Sequence, residues 1–178
     1  MARPVELIPL VCLKCSTAIP ASPDEVAWAC AQCGQGNLLD DENGLVPVEI
    51  HTSAGVPANT RGKPFWVVDG QVTLRRETYG GNEERQAQQF WGEPRRFFIP
   101  AFACPLEMLL DLGQSMLARP PALQPGPAAA FEPVILPPAD VPAAVDFIVM
   151  AVEAGRKDKL KEVEFNVILY EPSLWVLP

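Results

Sequence analysis

Two pairs of cysteines constrain the fold of this chain more than any other feature. Two residues separate Cys12 from Cys15, two separate Cys30 from Cys33, and 14 residues lie between the pairs. A C-x-x-C turn presents two thiolates from one short loop, and Zn²⁺ favours a tetrahedron of four sulfurs at about 2.3 Å. The spacing therefore predicts a structural zinc site with these four cysteines as ligands. Iron stays open as an alternative metal, because tetrahedral four-sulfur sites also suit it.

Such a site needs reduced thiols, and the rest of the sequence predicts a compartment that keeps them reduced. Pro4, Glu6 and Pro9 interrupt the apolar run that an export signal requires. The longest mostly apolar segment, 141–152, contains Asp146 and is shorter than the roughly 20 residues of a membrane-spanning helix. We therefore expect no membrane span and a cytoplasmic protein, whose cysteines bind metal instead of forming disulfides.

The two cysteine pairs, with Gly34 after the second, resemble a zinc ribbon over residues 1–50. The resemblance implies a small β unit that draws much of its folding free energy from the metal, about 10–16 kcal/mol in zinc-finger peptides. Ser16 follows the first pair, where ribbons often carry glycine. Zinc ribbons serve as nucleic-acid binders, protein docking modules or structural staples, and the resemblance leaves these roles open.

Charge separates these roles. The chain has 14 Lys and Arg against 22 Asp and Glu, a net charge of −8. Residues 1–50 hold two basic and seven acidic side chains, 2 − 7 = −5, and a zinc tetrathiolate adds −2. Nucleic-acid binding depends on cations that displace counterions from phosphates, so a nucleic-acid partner is disfavoured and a protein partner or homo-oligomer is favoured. Trp28, two residues before Cys30, is predicted to shield the metal or contact a partner, with base stacking as the alternative.

The remainder of the chain predicts a linker over 51–63 and an α+β domain over 64–178. Asp69-Gly70 lies between two β-prone runs, which predicts a hairpin, and residues 163–170 and 174–177 predict a terminal hairpin. Eight prolines within the segment 119–143 predict irregular or polyproline-like backbone. The fold class is thus α+β, a zinc ribbon followed by a small domain with β-hairpins and two apolar-faced helices.

The two apolar-faced helices are predicted over 105–118 and 140–155, and a short helix is possible over 82–91. The second has a continuous apolar stripe, and Phe147 and Met150 lie outside that stripe. Such a helix is either buried between layers or covered by another protein. Phe147 and Met150 are therefore, with Trp28, the candidate partner-binding residues.

A run of arginines and aromatic residues over 75–98 has three readings: a solvated rim beside the core, a site for a partner's acidic patch, or a nucleic-acid site. Its basic members are Arg75, Arg76, Arg85, Arg95 and Arg96, and four glutamates reduce its net charge to 5 − 4 = +1. The solvated rim is the favoured reading, because so small an excess of positive charge attracts phosphate weakly.

Catalytic signals are weak. The chain has one histidine, His51, and neither a nucleophile-elbow motif nor a phosphate-binding loop. Cys104, the fifth cysteine, lies among apolar residues, which favours a buried, inert thiol over a reactive one. We therefore expect no enzyme, but a zinc-ribbon adaptor, accessory subunit or assembly factor that docks in a larger cytoplasmic complex. A nucleic-acid-associated ribbon protein and an iron-binding or thiol redox protein are the alternatives.

Overall fold

Two sheets and three helices make up the structure, a computed structural model that describes residues 7–81 and 83–178. The α+β class is confirmed. The predicted ribbon start at residue 1 and helix start at residue 82 lie outside the described residues. In chain order the elements are β1 Ala27–Ala29, β2 Gly36–Asp40, β3 Gly44–Val48, β4 Ile50–Thr52, β5 Lys63–Gly80, α1 Glu84–Trp91, β6 Arg95–Pro100, α2 Leu106–Ala118, α3 Val141–Ala154, β7 Lys159–Leu169 and β8 Ser173–Leu177.

The first sheet is an antiparallel meander in the order β1-β2-β3. It belongs to the cysteine-bearing part of the chain, and the second cysteine pair forms the turn that joins β1 to β2. This small sheet does not stand apart from the larger domain. Ala27 of β1 and Leu38 of β2 pack into the main hydrophobic core, and the backbone N–H of Val26 donates a 2.8 Å hydrogen bond to the carbonyl of Val134.

The second sheet is built around β5, and the predicted Asp69-Gly70 hairpin is wrong. β5 runs without a turn through both residues, because they pair with β6 on one edge while Gly70 and neighbouring residues pair with β7 and β8 on the other. Neither residue has a positive φ, which a two-residue hairpin turn would need. Glycine is required here for space instead, since a Cβ on Gly70 would lie 2.6 Å from Leu169 Cδ2.

The predicted terminal hairpin is also wrong. β7 and β8 do not pair with each other but follow one another along the same edge of β5, with β7 opposite residues 70–80 and β8 opposite residues 63–67. Between β7 and β8, the Tyr170 N–H donates a 2.9 Å hydrogen bond to the Asp69 carbonyl and keeps the chain against β5. β4 then adds to β8 in parallel, so residues 50–52, at the start of the predicted linker, form an edge strand of this sheet.

Side chains alternate between two apolar layers on the faces of this sheet. Trp66, Val68 and Phe97 lie on the face that carries α1 and α3, within the larger core. Phe65, Val67 and Phe98 lie on the opposite face, in a smaller core that also contacts α2. Being buried on both faces, this half of β5 reads as a continuous apolar run and not as an alternating one.

The predicted helices form within one or two residues of their expected limits. α2 and α3 pack closely, since a Cβ on Gly113 would lie 2.4 Å from Ile148 Cδ1. The predicted stripe of α3 faces the core, and Phe147 and Met150 are each 50 % exposed on its other side.

The proline-rich segment is irregular, as expected, but it is pinned to its own chain. Gly126 donates its N–H to the Thr52 carbonyl at 2.7 Å, and Gly62 donates to Ala130 at 2.8 Å. Val134 bridges to Ala27 of the first sheet. The segment thus ties the cysteine-bearing sheet to the larger domain, instead of being free to lie along a partner.

Arg76 departs most from the predicted solvated rim. Its side chain is fully buried and forms a salt bridge with Glu153 at 2.7 Å and two hydrogen bonds with Asp158 at 2.7 and 2.8 Å. Glu153 is also buried and accepts a 2.7 Å hydrogen bond from Trp91 Nε1. Burial of the guanidinium is possible because two carboxylates neutralise it.

Candidate metal centre

The four predicted ligands come together. The sulfurs of Cys12, Cys15, Cys30 and Cys33 all lie within 4.8 Å of one another. The Cys12 and Cys33 sulfurs are 3.6 Å apart, as are those of Cys15 and Cys30. A tetrahedron with sulfurs about 2.3 Å from a central ion has edges of about 3.8 Å. The cluster is therefore the right size for one tetrahedral metal ion.

The two cysteine turns share one hydrogen-bond pattern. In the first, the Cys12 N–H donates to the Thr17 carbonyl at 2.8 Å and the Ser16 N–H donates to the Cys12 carbonyl at 2.9 Å. In the second, Cys30 and Gly34 donate to Gln35 and Cys30 in the same way, at 2.8 Å each. Both turns therefore present their sulfurs from equivalent backbone positions.

Each turn needs a residue with positive φ directly after its second cysteine. Gly34 has φ +74° and Ser16 has φ +59°. Serine adopts this left-handed region at some cost, which glycine avoids. The departure from the usual glycine thus leaves the turn geometry intact.

Asn37 holds the two turns together, and the sequence alone does not reveal it. This fully buried side chain on β2 accepts a 3.1 Å hydrogen bond from the Leu13 N–H in the first turn. Its amide donates a 2.8 Å hydrogen bond to the Gln35 carbonyl beside the second turn. Both of its polar groups are therefore used to fix the distance between the cysteine pairs. In the sequence, only its position directly before two leucines, in a segment that forms a strand, marks this residue.

The acid–base properties of the thiols differ although they share one site. Burial raises the pKa of Cys12, but the N–H groups of Cys15 and Lys14 and the neighbouring thiols lower it to about 6. The Gln35 N–H lowers the pKa of Cys33, yet burial and the other three thiols raise it to about 12. One thiolate thus forms readily and the last resists ionisation. A bound cation supplies the positive charge that four adjacent thiolates need.

The remaining donor environment fits thiolates. The Thr17 side chain is the main cause that lowers the pKa of Cys15, whose sulfur lies 3.2 Å from the Thr17 hydroxyl. Cys12 and Cys30 are buried, whereas Cys15 is exposed and Cys33 is intermediate. Four thiolates satisfy a tetrahedral zinc ion completely, so the site leaves no position for water or substrate.

The candidate partner-binding residues differ in how exposed their side chains are. Trp28 is only 6 % exposed, and its Nε1 donates a 3.2 Å hydrogen bond to Glu25. It therefore lies in the interior and offers no ring face to a partner. Phe147 and Met150 remain half exposed, and partner binding by these two residues remains a prediction.

The arginine-rich run does not form a single basic surface. Arg76 is buried, and Arg96 forms two hydrogen bonds with Asp69 at 2.7 and 2.9 Å. Arg95 donates to the Phe90 carbonyl and lies 4.1 Å from the centre of that residue's ring. Carboxylates of the same chain thus neutralise Arg76 and Arg96, and Arg95 caps a carbonyl, so the five arginines do not present one continuous set of free guanidinium groups.

No protein-family model, curated protein or solved structure matches the chain. Within residues 7–81 and 83–178, no helix has the length and hydrophobicity needed to cross a membrane. A possible four-cysteine metal site is what the geometry establishes.

Proposed function

We propose that the chain is a non-catalytic zinc-ribbon protein that docks in a larger cytoplasmic complex as an adaptor, accessory subunit or assembly factor. The closed set of four thiols carries the proposal. Zn²⁺ bound by these sulfurs is coordinatively saturated, so it fixes the fold and activates no water. The proline-rich segment and the packing of Ala27 and Leu38 transmit that stability to the larger domain.

The remaining reactive side chains support a non-catalytic role. Burial raises the pKa of the Cys104 thiol, so the thiol form dominates at neutral pH and the nucleophilic thiolate is scarce. His51 stacks on Trp175 with ring centres 4.8 Å apart. The Cys104 environment suits packing, and among the described residues the one carboxylate that pairs with His51 is that of the exposed Glu49, 3.6 Å from Nδ1.

The exposed face of α3 supports docking. Phe147 and Met150 lie one turn apart and are each 50 % exposed, while the opposite face of the helix is packed in the core. Large apolar side chains that are held on a rigid helix form good contact points, because little conformational entropy is lost on binding. These contacts make α3 the proposed docking element.

The docking proposal is tested by purifying the complex from the native cell and reconstituting it with the partner that mass spectrometry identifies. Combining Phe147→Ser with Met150→Ser is expected to weaken reconstitution, while Tyr79→Ser is a matched control, since Tyr79 is 77 % exposed elsewhere. Failure to recover any stoichiometric partner, or equal binding by the α3 variant, would contradict docking through α3.

A second candidate, a one-electron carrier, is favoured by one observation. The four-sulfur geometry suits iron as well as zinc. Iron bound by four cysteines absorbs visible light and changes colour on reduction, whereas zinc is colourless. Metal analysis of protein purified from the native cell therefore distinguishes the two. Iron at one equivalent per chain would replace the structural proposal with the redox one.

A further inference from the structure

The outer edge of β7 is the most extensive unpaired element in the larger sheet. β7 has 11 residues and pairs with β5 alone. Among the described residues, no other backbone group donates to or accepts from β7. Every second residue of such a strand directs its N–H and C=O groups away from the sheet, which makes the edge a template for another strand.

The charges along this edge follow a self-complementary order. Lys159 and Lys161 precede Glu162 and Glu164, so the strand reads positive, positive, negative, negative. All four side chains are exposed, whereas Leu160 and the other apolar residues between them are half buried. When two copies of such a sequence run antiparallel, each positive half meets a negative half.

A β-bulge makes this pattern possible. Residues five apart, such as 159 and 164, would lie on opposite faces of a regular strand. The register against β5 shifts between Glu77 and Thr78, which inserts Lys161 as an extra residue in β7. A second shift, between Thr78 and Gly80, leaves Tyr79 as an extra residue in β5 and adds none to β7. Lys159 and Glu164 are therefore both on the exposed face.

The edge also carries repulsion that a second copy would relieve. Glu162 lies directly opposite Glu77 on β5, and like charges in that position destabilise a sheet. Lys161 neutralises Glu77 through a 2.9 Å salt bridge. Glu162 makes no salt bridge within residues 7–81 and 83–178. Lys161 is close enough to Glu162 for their charges to interact, which helps to raise the pKa of Lys161. Lys161 is therefore shared between two glutamates, and a second copy would add a second cation beside Glu162.

We propose that two copies of the chain form a symmetric dimer through antiparallel pairing of their β7 strands. The twofold axis passes between Lys161 and Glu162. This register sets Lys161 against Glu162 of the second copy and Lys159 against Glu164, each pair occurring twice by symmetry. Leu160 then meets Val163 on the other face. The two sheets become continuous through residues 159–164, and residues 165–169 of each β7 extend beyond the paired segment.

A second copy fits this edge better than a strand of another protein. Together with Arg75 and Glu77, the exposed face at this end carries three positive and three negative charges, 3 − 3 = 0. Such a face attracts neither an acidic nor a basic strand as a whole, but it matches its own sequence in reverse. The dimer is independent of the proposed docking role, so either proposal can fail without the other.

Sedimentation velocity of the zinc-loaded full chain over a range of concentrations tests the proposal. We expect a species of about 39 kDa, twice the 19.4 kDa of one chain, that dissociates more readily at high salt. Lys159→Glu and Glu164→Lys, each alone, place like charges together twice in the interface. Each is expected to raise the dimer dissociation constant about tenfold.

The double variant with both substitutions supplies the decisive comparison. It restores opposite charges at both pairs, so the dimer should return to nearly the wild-type dissociation constant. Thermal unfolding checks that all variants stay folded. A wild-type chain that is monomeric at every concentration overturns the proposal. So does a dimer that is indifferent to the single substitutions, or one whose weakening is not rescued in the double variant.

Discussion

Asn37 Oδ1 accepts a 3.1 Å hydrogen bond from the Leu13 N–H, which joins the strand after the second cysteine turn to the backbone of the first. The same side chain donates to the Gln35 carbonyl at 2.8 Å. One buried amide therefore helps to set the distance between the two halves of the metal centre. The metal ligands and this amide act as one unit.

Replacing Asn37 with alanine is expected to weaken zinc binding. The substitution removes the acceptor of the Leu13 N–H and one of the two donors to the Gln35 carbonyl, which still accepts from the Cys30 N–H. The loss of these hydrogen bonds is worth about 1 kcal/mol each. Competition with a chromophoric chelator measures the change in zinc affinity. Asn59→Ala is the matched control, because Asn59 is exposed and lies outside the predicted ribbon. An unchanged affinity in Asn37→Ala would show that the turns are positioned without this amide.

Gly34→Ala is expected to lower the free energy of unfolding by about 1 kcal/mol, through the strain of its backbone conformation alone. A Cβ at this position meets no atom within 4 Å, so no steric clash contributes, and only the φ of +74° opposes alanine. Gly80 also has open space but lacks a positive φ, so Gly80→Ala should not destabilise. Urea unfolding of the zinc-loaded proteins compares them. Equal stabilities of the two variants would contradict the left-handed turn.

Asp158 makes stability depend on pH in acid. Hydrogen bonds from Arg76 hold the pKa of Asp158 at about 2, below its ordinary value of 3.8. Because the folded state lowers this pKa, the stabilisation is present above pH 4 and is lost as the pH falls towards 2. The stability difference between wild type and Asp158→Asn should therefore shrink over that interval. Urea titrations from pH 5 to pH 2 measure the free energy of unfolding of both proteins. If the difference between them stays constant over this range, the ion pair of Asp158 with Arg76 is not what causes it.

Chelation of the metal is expected to loosen residues 7–48 first. This part has a small sheet and depends on the four-sulfur site, and it contributes only Ala27 and Leu38 to the buried core around Trp66 and Phe97. The strands β5 and β6 keep most of that core without it. Hydrogen–deuterium exchange before and after chelation measures the effect by segment. Fast exchange should appear in β1 to β3, while β5 stays protected. Uniform loss of protection along the chain would mean that the metal holds the entire domain.

The metal ligands and the helices were predictable because their signals are local. Four cysteines at fixed spacing identify themselves, and the apolar periodicity of α3 predicts both its limits and the exposure of Phe147 and Met150. The positive φ of Ser16 was not readable from the residue type, since serine seldom adopts it. In that case the hydrogen-bonded cysteine turn overrode the local preference.

The strand pairing was not predictable because it depends on distant residues. Asp69-Gly70 carries a strong local turn signal, yet pairing with β6, β7 and β8 keeps β5 extended through it. Arg76 looked like a surface cation because its two carboxylate partners lie 77 and 82 residues further along the chain. Such partners become visible only once the fold brings them together.

Cobalt substitution tests the central claim, a closed four-thiolate metal centre, most directly. Titration of the reduced, metal-free chain with Co²⁺ should give the intense visible bands of a tetrahedral thiolate complex, saturating at one ion per chain and displaced by one equivalent of Zn²⁺. Cys12→Ser should reduce the thiolate-to-cobalt absorption, and Cys104→Ser should leave it unchanged. Absence of the tetrahedral spectrum, or equal loss in both variants, would contradict the metal centre described here.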